Sequence, residues 1–168
     1  LSAVNPADRS NLLALSGVGL VLATVAIPVQ LAGQWITIAW AVEGLILTII
    51  GFRLASEHLR MFSLIVLTIM IVRLITIDQR IHASLATFTP IWNDRFFTFL
   101  IGSLVLFASA YFYHRHRSAL TPREVNIPAG LGVVANLMLL LTMSQEVSVG
   151  ARSANLKHLL LSLLWTAP

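Results

Sequence analysis

Apolar residues do not recur along this chain at helix or strand intervals with polar residues between them. They run on almost unbroken. Five such stretches stand out: Leu12–Gln30, Trp35–Leu54, Leu59–Ile77, Phe96–Tyr113 and Ile127–Met143. Crossing a bilayer takes about 20 mostly apolar residues in a helix. Continuous runs without alternation predict helices, not barrel strands. A sixth run, Leu156–Trp165, is shorter. The expected fold is all-α: one polytopic transmembrane helical bundle over residues 1–168, with five spans and a truncated sixth.

Punctuation fits these limits. Asn5-Pro6-Ala7-Asp8 carries turn and cap chemistry ahead of the first span, and Ala32-Gly33 makes a tight turn after it. Pro28 is placed to kink or end the first helix. Pro128 falls in the first turn of the fifth, where a missing N–H costs little. Residues 78–95 form the only long connection, and "RIHASLATFTPIW" within it reads as an interfacial segment anchored by Trp92.

Composition agrees with lipid as the solvent. The 168 residues are 57% hydrophobic and 11% charged, against roughly 25% charged in soluble domains. There is no cysteine, which excludes disulfides and thiolate metal sites. Residue 1 is Leu and no cleavable signal is visible, so a piece of a longer or processed protein is expected. The net charge of +4 points to topology and anionic lipid, with no nucleic-acid partner. Arg9, Arg53, Arg60, Arg115, Arg117 and Arg123 fall on one side of the membrane, and Arg80, Arg95, Arg152 and Lys157 on the other. This bias places the N-terminus in the cytoplasm. His114, Arg115, His116, Arg117 and Arg123 are then candidates for contact with anionic headgroups.

Within "WITIAWAVEGLILTIIGFRL" one acid, Glu43, lies deep in an apolar run. Arg73 lies in the next, near its Asp78 end. A short loop makes the two helices antiparallel neighbours, and their depths differ by about one turn. An ion pair between Glu43 and Arg73 is therefore expected, either as a structural clamp or as part of a polar cavity open to the outside. Protonation of Glu43 is the alternative way to tolerate it. Trp40, Asp78, Asn93, Asp94 and Arg95 are candidates for a polar cluster in the outer leaflet. Ordinary caps and headgroup-level residues are the plainer reading of Asp78 and Asp94.

These residues also carry a resemblance. "WITIAWAVEG", a Gly-Phe-Arg helix end, "RLITID" and "PIWNDRFFTFL" resemble a bacterial multi-pass membrane family catalogued as domain of unknown function 2339. The matching positions are Trp35, Ala39, Trp40, Glu43, Gly44, Arg73, Leu74, Asp78, Asn93, Arg95 and Phe96, and the likeness covers roughly residues 20–113. "HLLLSLLW" resembles a recurring helix start of that family, and "TIAWAVE" and "SLLWTAP" form a short internal echo. The resemblance implies a fragment of a longer protein in the bacterial inner membrane. It supplies no activity and no cofactor.

Other motifs are weak. The G-x-G sequences at Gly17–Gly19 and Gly130–Gly132 lie in apolar helices, so they read as sites of close helix approach, as does Gly19 with Ala23. Asn136 is expected to make an interhelical hydrogen bond. The five histidines lack metal-ligand spacing, and no G-x-S-x-G or Walker sequence occurs. Three functions remain. The first is a structural or assembly module packing against further membrane helices or subunits. The second is a transporter or channel using Glu43. The third is an enzyme acting on a lipid-linked substrate at the outer leaflet.

Overall fold

A computed structural model describes residues 6–78, 93–150 and 154–166, with side chains placed for most of them. Its helices are α1 (Pro6–Gln30), α2 (Gln34–Arg53), α3 (Glu57–Thr76), α4 (Asp94–Arg115), α5 (Ile127–Gly150) and α6 (Ala154–Thr166). A single 3-10 turn, Arg117–Ala119, follows α4. Four of these, α2 to α5, are long and apolar enough to cross a membrane. The described apolar part of α1, Gly17–Gln30, is shorter, and α6 has only 13 residues. The expected interfacial segment with Arg80 and Trp92 lies outside the described residues. So do the side chains of Arg9, Arg152 and Lys157.

Local chemistry sets the ends. Asn93 caps α4, its Oδ1 accepting from the Phe96 amide at 2.7 Å. Ser56 starts α3 less tightly, accepting from the Leu59 amide at 3.4 Å. Gly33, with φ of 59°, opens α2 in a conformation that a side chain would strain. Pro128 sits in the first turn of α5. Pro28 lies two residues before the end of α1 without stopping it.

The bundle is organised around two pairings, α2 with α3 and α4 with α5, joined where α4 packs on α2. Helix α1 leans lightly on α2, and α6 on α5. The α2–α3 seam is built on small residues. Thr37, Ala41, Gly44, Thr48 and Gly51 are all buried at alternating steps of four and three. They face a matching file of Arg60, Ser63, Leu67, Met70 and Leu74 on α3. That spacing keeps one stripe against its neighbour and suits helices crossing at a shallow angle. The approach is close. A Cβ on Gly44 would stand 2.6 Å from Leu67 Cδ2, and one on Gly51 would stand 2.8 Å from Arg60 Cγ. On α4, a Cβ on Gly102 would stand 2.9 Å from Leu74 Cδ1. The glycines singled out from the sequence behave differently. Gly17, Gly19, Gly130 and Gly132 have nothing within 4 Å of a built Cβ. Gly17, Gly19 and Gly130 are exposed and Gly132 half-buried, because α1 and α5 turn other sides to their neighbours.

The polarity of the bundle is inverted relative to a water-soluble protein. Thr37, Thr48, Ser63, Thr98, Ser103 and Ser109 are buried, as are Arg60, Asp78, Glu124 and Glu146. Large aliphatic side chains such as Val29, Ile65, Val72, Leu104 and Val133 cover the outside. Water would penalise such a surface, whereas hydrocarbon does not.

Candidate functional site

The seam runs into a polar cluster at the Gly33 end of the bundle. Arg73 donates from Nε to Thr37 Oγ1 at 3.0 Å and from Nη2 to the Gly33 carbonyl at 3.0 Å. The Thr37 hydroxyl in turn donates to Asp78 Oδ2. Guanidinium and carboxylate are thus linked through one hydroxyl and not by direct contact. The Trp40 ring lies 5.8 Å from the Arg73 guanidinium carbon, a cation–π distance. Asp78 is buried at 1% exposure, and its Oδ1 has no hydrogen-bond partner among the described residues.

Glu43 is not part of this cluster, so the expected ion pair with Arg73 is not formed. Its Oε1 lies 2.7 Å from the Thr24 hydroxyl of α1, and its Oε2 is buried without a partner among the described residues. The reason is azimuth. Depth along the two helices differs by only about one turn, but six residues separate Glu43 from Thr37. At 3.6 residues per turn this sets Glu43 about 120° round α2 from the seam. Glu43 therefore looks toward α1. Trp40 reinforces that contact, donating from Nε1 to the Thr24 carbonyl at 3.1 Å.

The expected outer-leaflet cluster divides in two. Trp40 and Asp78 belong with Arg73 and Thr37. Asn93 and Arg95 belong instead with Glu146 near the end of α5. Asn93 Nδ2 donates to Glu146 Oε1 at 2.9 Å, and Arg95 Nη2 approaches the same oxygen at 3.3 Å. Asp94 is exposed. Glu146 lies three residues beyond Met143, the expected end of the fifth span, because α5 continues to Gly150.

At the opposite end is an ion pair that sequence reasoning missed. Arg60 and Glu124 meet in a two-pronged contact, Nε to Oε1 at 2.8 Å and Nη2 to Oε2 at 2.9 Å, with both side chains buried. The Thr121 amide and hydroxyl also donate to Glu124 Oε2, at 2.9 and 3.1 Å. These bonds, the Arg60 contact foremost, hold the Glu124 carboxyl below its ordinary range. Phe52 lies 5.2 Å from the Arg60 guanidinium, and Tyr113 donates to the Arg60 carbonyl at 3.3 Å. The signal was present in "TPRE": Thr followed three residues later by Glu, just ahead of an apolar run, is a capping-box pattern. Half of that box is made, since Glu124 reaches back to the Thr121 amide.

Of the five basic residues grouped for headgroup contact, His114, Arg115, Arg117 and Arg123 are exposed. His116 differs. Its ring stacks 4.9 Å from Phe52 and its Nδ1 lies 2.9 Å from the Phe112 carbonyl, so it belongs to the packing. Asn136 does not make the expected interhelical bond; it is exposed and has no hydrogen-bond partner among the described residues. Among the described residues no group of three His, Asp or Glu side chains is arranged to hold a metal ion.

These contacts can pin helices together and can present a cation, Arg73, at one end of an apolar surface. Comparisons with protein-family models, with curated proteins and with solved structures give no match.

Proposed function

We propose that this chain is a structural or assembly module of a membrane, one that packs its spans against further membrane helices. The observation that carries this reading is Asn136. It lies nine residues into α5, about 13–14 Å along the helix and so near the middle of a bilayer core of about 30 Å. It is exposed, with Ala129, Gly132 and Val133 on the same side of α5, and a Cβ on Gly132 would meet nothing within 4 Å. A bare amide in hydrocarbon is costly, and small residues let a second helix come close enough to bond it. The ion pairs fit the same role, since they join elements of the bundle and leave no reacting group between them.

Under this reading the chain is a multi-pass protein of the bacterial inner membrane, with α1 and α6 as further spanning segments completed by packing or by adjoining chain. The resemblance to domain of unknown function 2339 supports it, as does the charge bias that puts the N-terminus in the cytoplasm. The absence of native cysteine makes the test direct. Single cysteines at Ala129, Val133 and Asn136 should cross-link to another membrane helix in intact membranes, and one at Ile65 on α3 should not. Uniform cross-linking at all four positions, or none, would refute the assembly role.

One observation favours a transporter or channel as the second reading. Among the described residues Glu43 meets no cation, and one of its oxygens is buried without a partner. Ion or proton flux into vesicles that stops in Glu43→Gln would establish this reading.

A further inference from the structure

Beside the Arg73 cluster the surface carries a groove of about 320 Å³. Trp40 lies at its side, Ile69, Val72 and Ile77 line it, and Arg73 borders it. Thr68 and Thr76 also line it, yet their hydroxyls are turned back to the Leu64 and Val72 carbonyls at 2.7 Å each. The lining is therefore almost wholly apolar, with one guanidinium as its polar feature.

That guanidinium has spare capacity. Arginine carries five N–H donors, and Arg73 uses one on Thr37 and one on the Gly33 carbonyl. No carboxylate lies within ion-pair distance of it among the described residues. Asp78 offsets part of the charge through Thr37, but from the buried side. Arg73 lies three residues before Thr76, the end of α3, so its Cα is about 4–5 Å from that end, a depth from which the side chain reaches headgroup level. Trp35, 61% exposed at the same end, suits the same interface.

From this geometry we infer that the groove is a binding site for a single phospholipid, with the phosphodiester on Arg73 and one acyl chain along Ile69 and Val72. A docked helix would have to bring its own acid to this depth to use the free donors. A phospholipid supplies a monoanionic oxygen pair and a hydrocarbon tail in one molecule. The site is separate from the exposed basic loop at the other end, and the inference rests on the membrane reading above.

Native mass spectrometry of the detergent-solubilised full chain, titrated with phosphatidylglycerol, tests it. One lipid should remain bound at activation energies that strip the rest. Occupancy should fall at least tenfold in Arg73→Gln and in Val72→Trp, which fills the groove from a lipid-facing position. Leu104→Trp, at an exposed position on α4 outside the groove, should keep the wild-type occupancy. Should Arg73→Gln fail to fold, Val72→Trp decides alone. Retention unchanged in the variants, no retained lipid in the wild type, or a dimer that Val72→Trp dissociates would each overturn the site. A chain that stays soluble without detergent would instead overturn the membrane reading itself.

Discussion

At the scale of single residues, the Arg60–Glu124 pair dominates. Both groups are buried, so removing one strands the other's charge, a loss of about 3–5 kcal/mol. We expect Arg60→Ala and Glu124→Ala to destabilise the folded protein by that order. The double variant should lose much less than their sum, as an unfolding titration in mixed micelles would measure. The pair also sets a pH dependence. Glu124 titrates below its ordinary range when folded, so its contribution is complete above the ordinary carboxylate range. It is lost as pH falls through that range toward the folded value. Stability of the wild type should therefore decline on acidification, and Glu124→Gln should lack that component. Glu43 drew attention because an acid in an apolar run is conspicuous. Glu124 lies in a polar loop, where nothing in composition shows that it folds back onto α3. Only the Thr-x-x-Glu spacing betrays it.

At the scale of elements, the places where helices run were legible and the faces they share were not. The expected limits of the α2, α3 and α4 spans lie within about two residues of those observed, because length and hydropathy decide them. Facing is different. A helix apolar all round has no hydrophobic side to read, so the information moves to small and hydroxyl residues. In α2 it was written as Thr37, Ala41, Gly44, Thr48 and Gly51, with Thr48 and Ser63 sharing a hydrogen bond of 2.9 Å across the seam. Matching Glu43 to Arg73 by depth alone ignored that stripe. The seam predicts an ordering of glycine variants. Gly51→Ala should cost most, about 1–3 kcal/mol, because its new methyl meets Arg60 backbone nitrogen at 3.1 Å as well as a side chain. Gly44→Ala meets only the Leu67 side chain, Cδ2 and Cγ, at comparable range, with the nearest backbone atom at 3.7 Å, and should cost less. Gly17→Ala and Gly130→Ala, in open space, should be neutral or slightly stabilising by helix propensity. Thermal unfolding of the four variants in one detergent would test the order.

At the scale of the whole molecule, α2 to α5 run up and down between two polar ends, one tied by Arg60 and Glu124, the other by Arg73, Thr37, Asp78, Arg95 and Glu146. On the membrane reading proposed above, the ends belong on opposite sides of the bilayer, and the chain's lack of cysteine permits a clean check. Cysteines at Ala32 and at Ser118, both exposed, should be labelled by an impermeant maleimide from opposite faces of sealed vesicles. Labelling of both from one face would contradict the arrangement.

The Arg60–Glu124 contact joins residues 64 apart in sequence. A ribosome adding about 5–20 residues per second reaches Glu124 several seconds after Arg60. On the membrane reading, the first hairpin then holds Arg60 without its Glu124 partner at one end of the bundle. Final seating of α3 must then wait for the second hairpin to emerge, which makes the order of synthesis part of how the bundle closes.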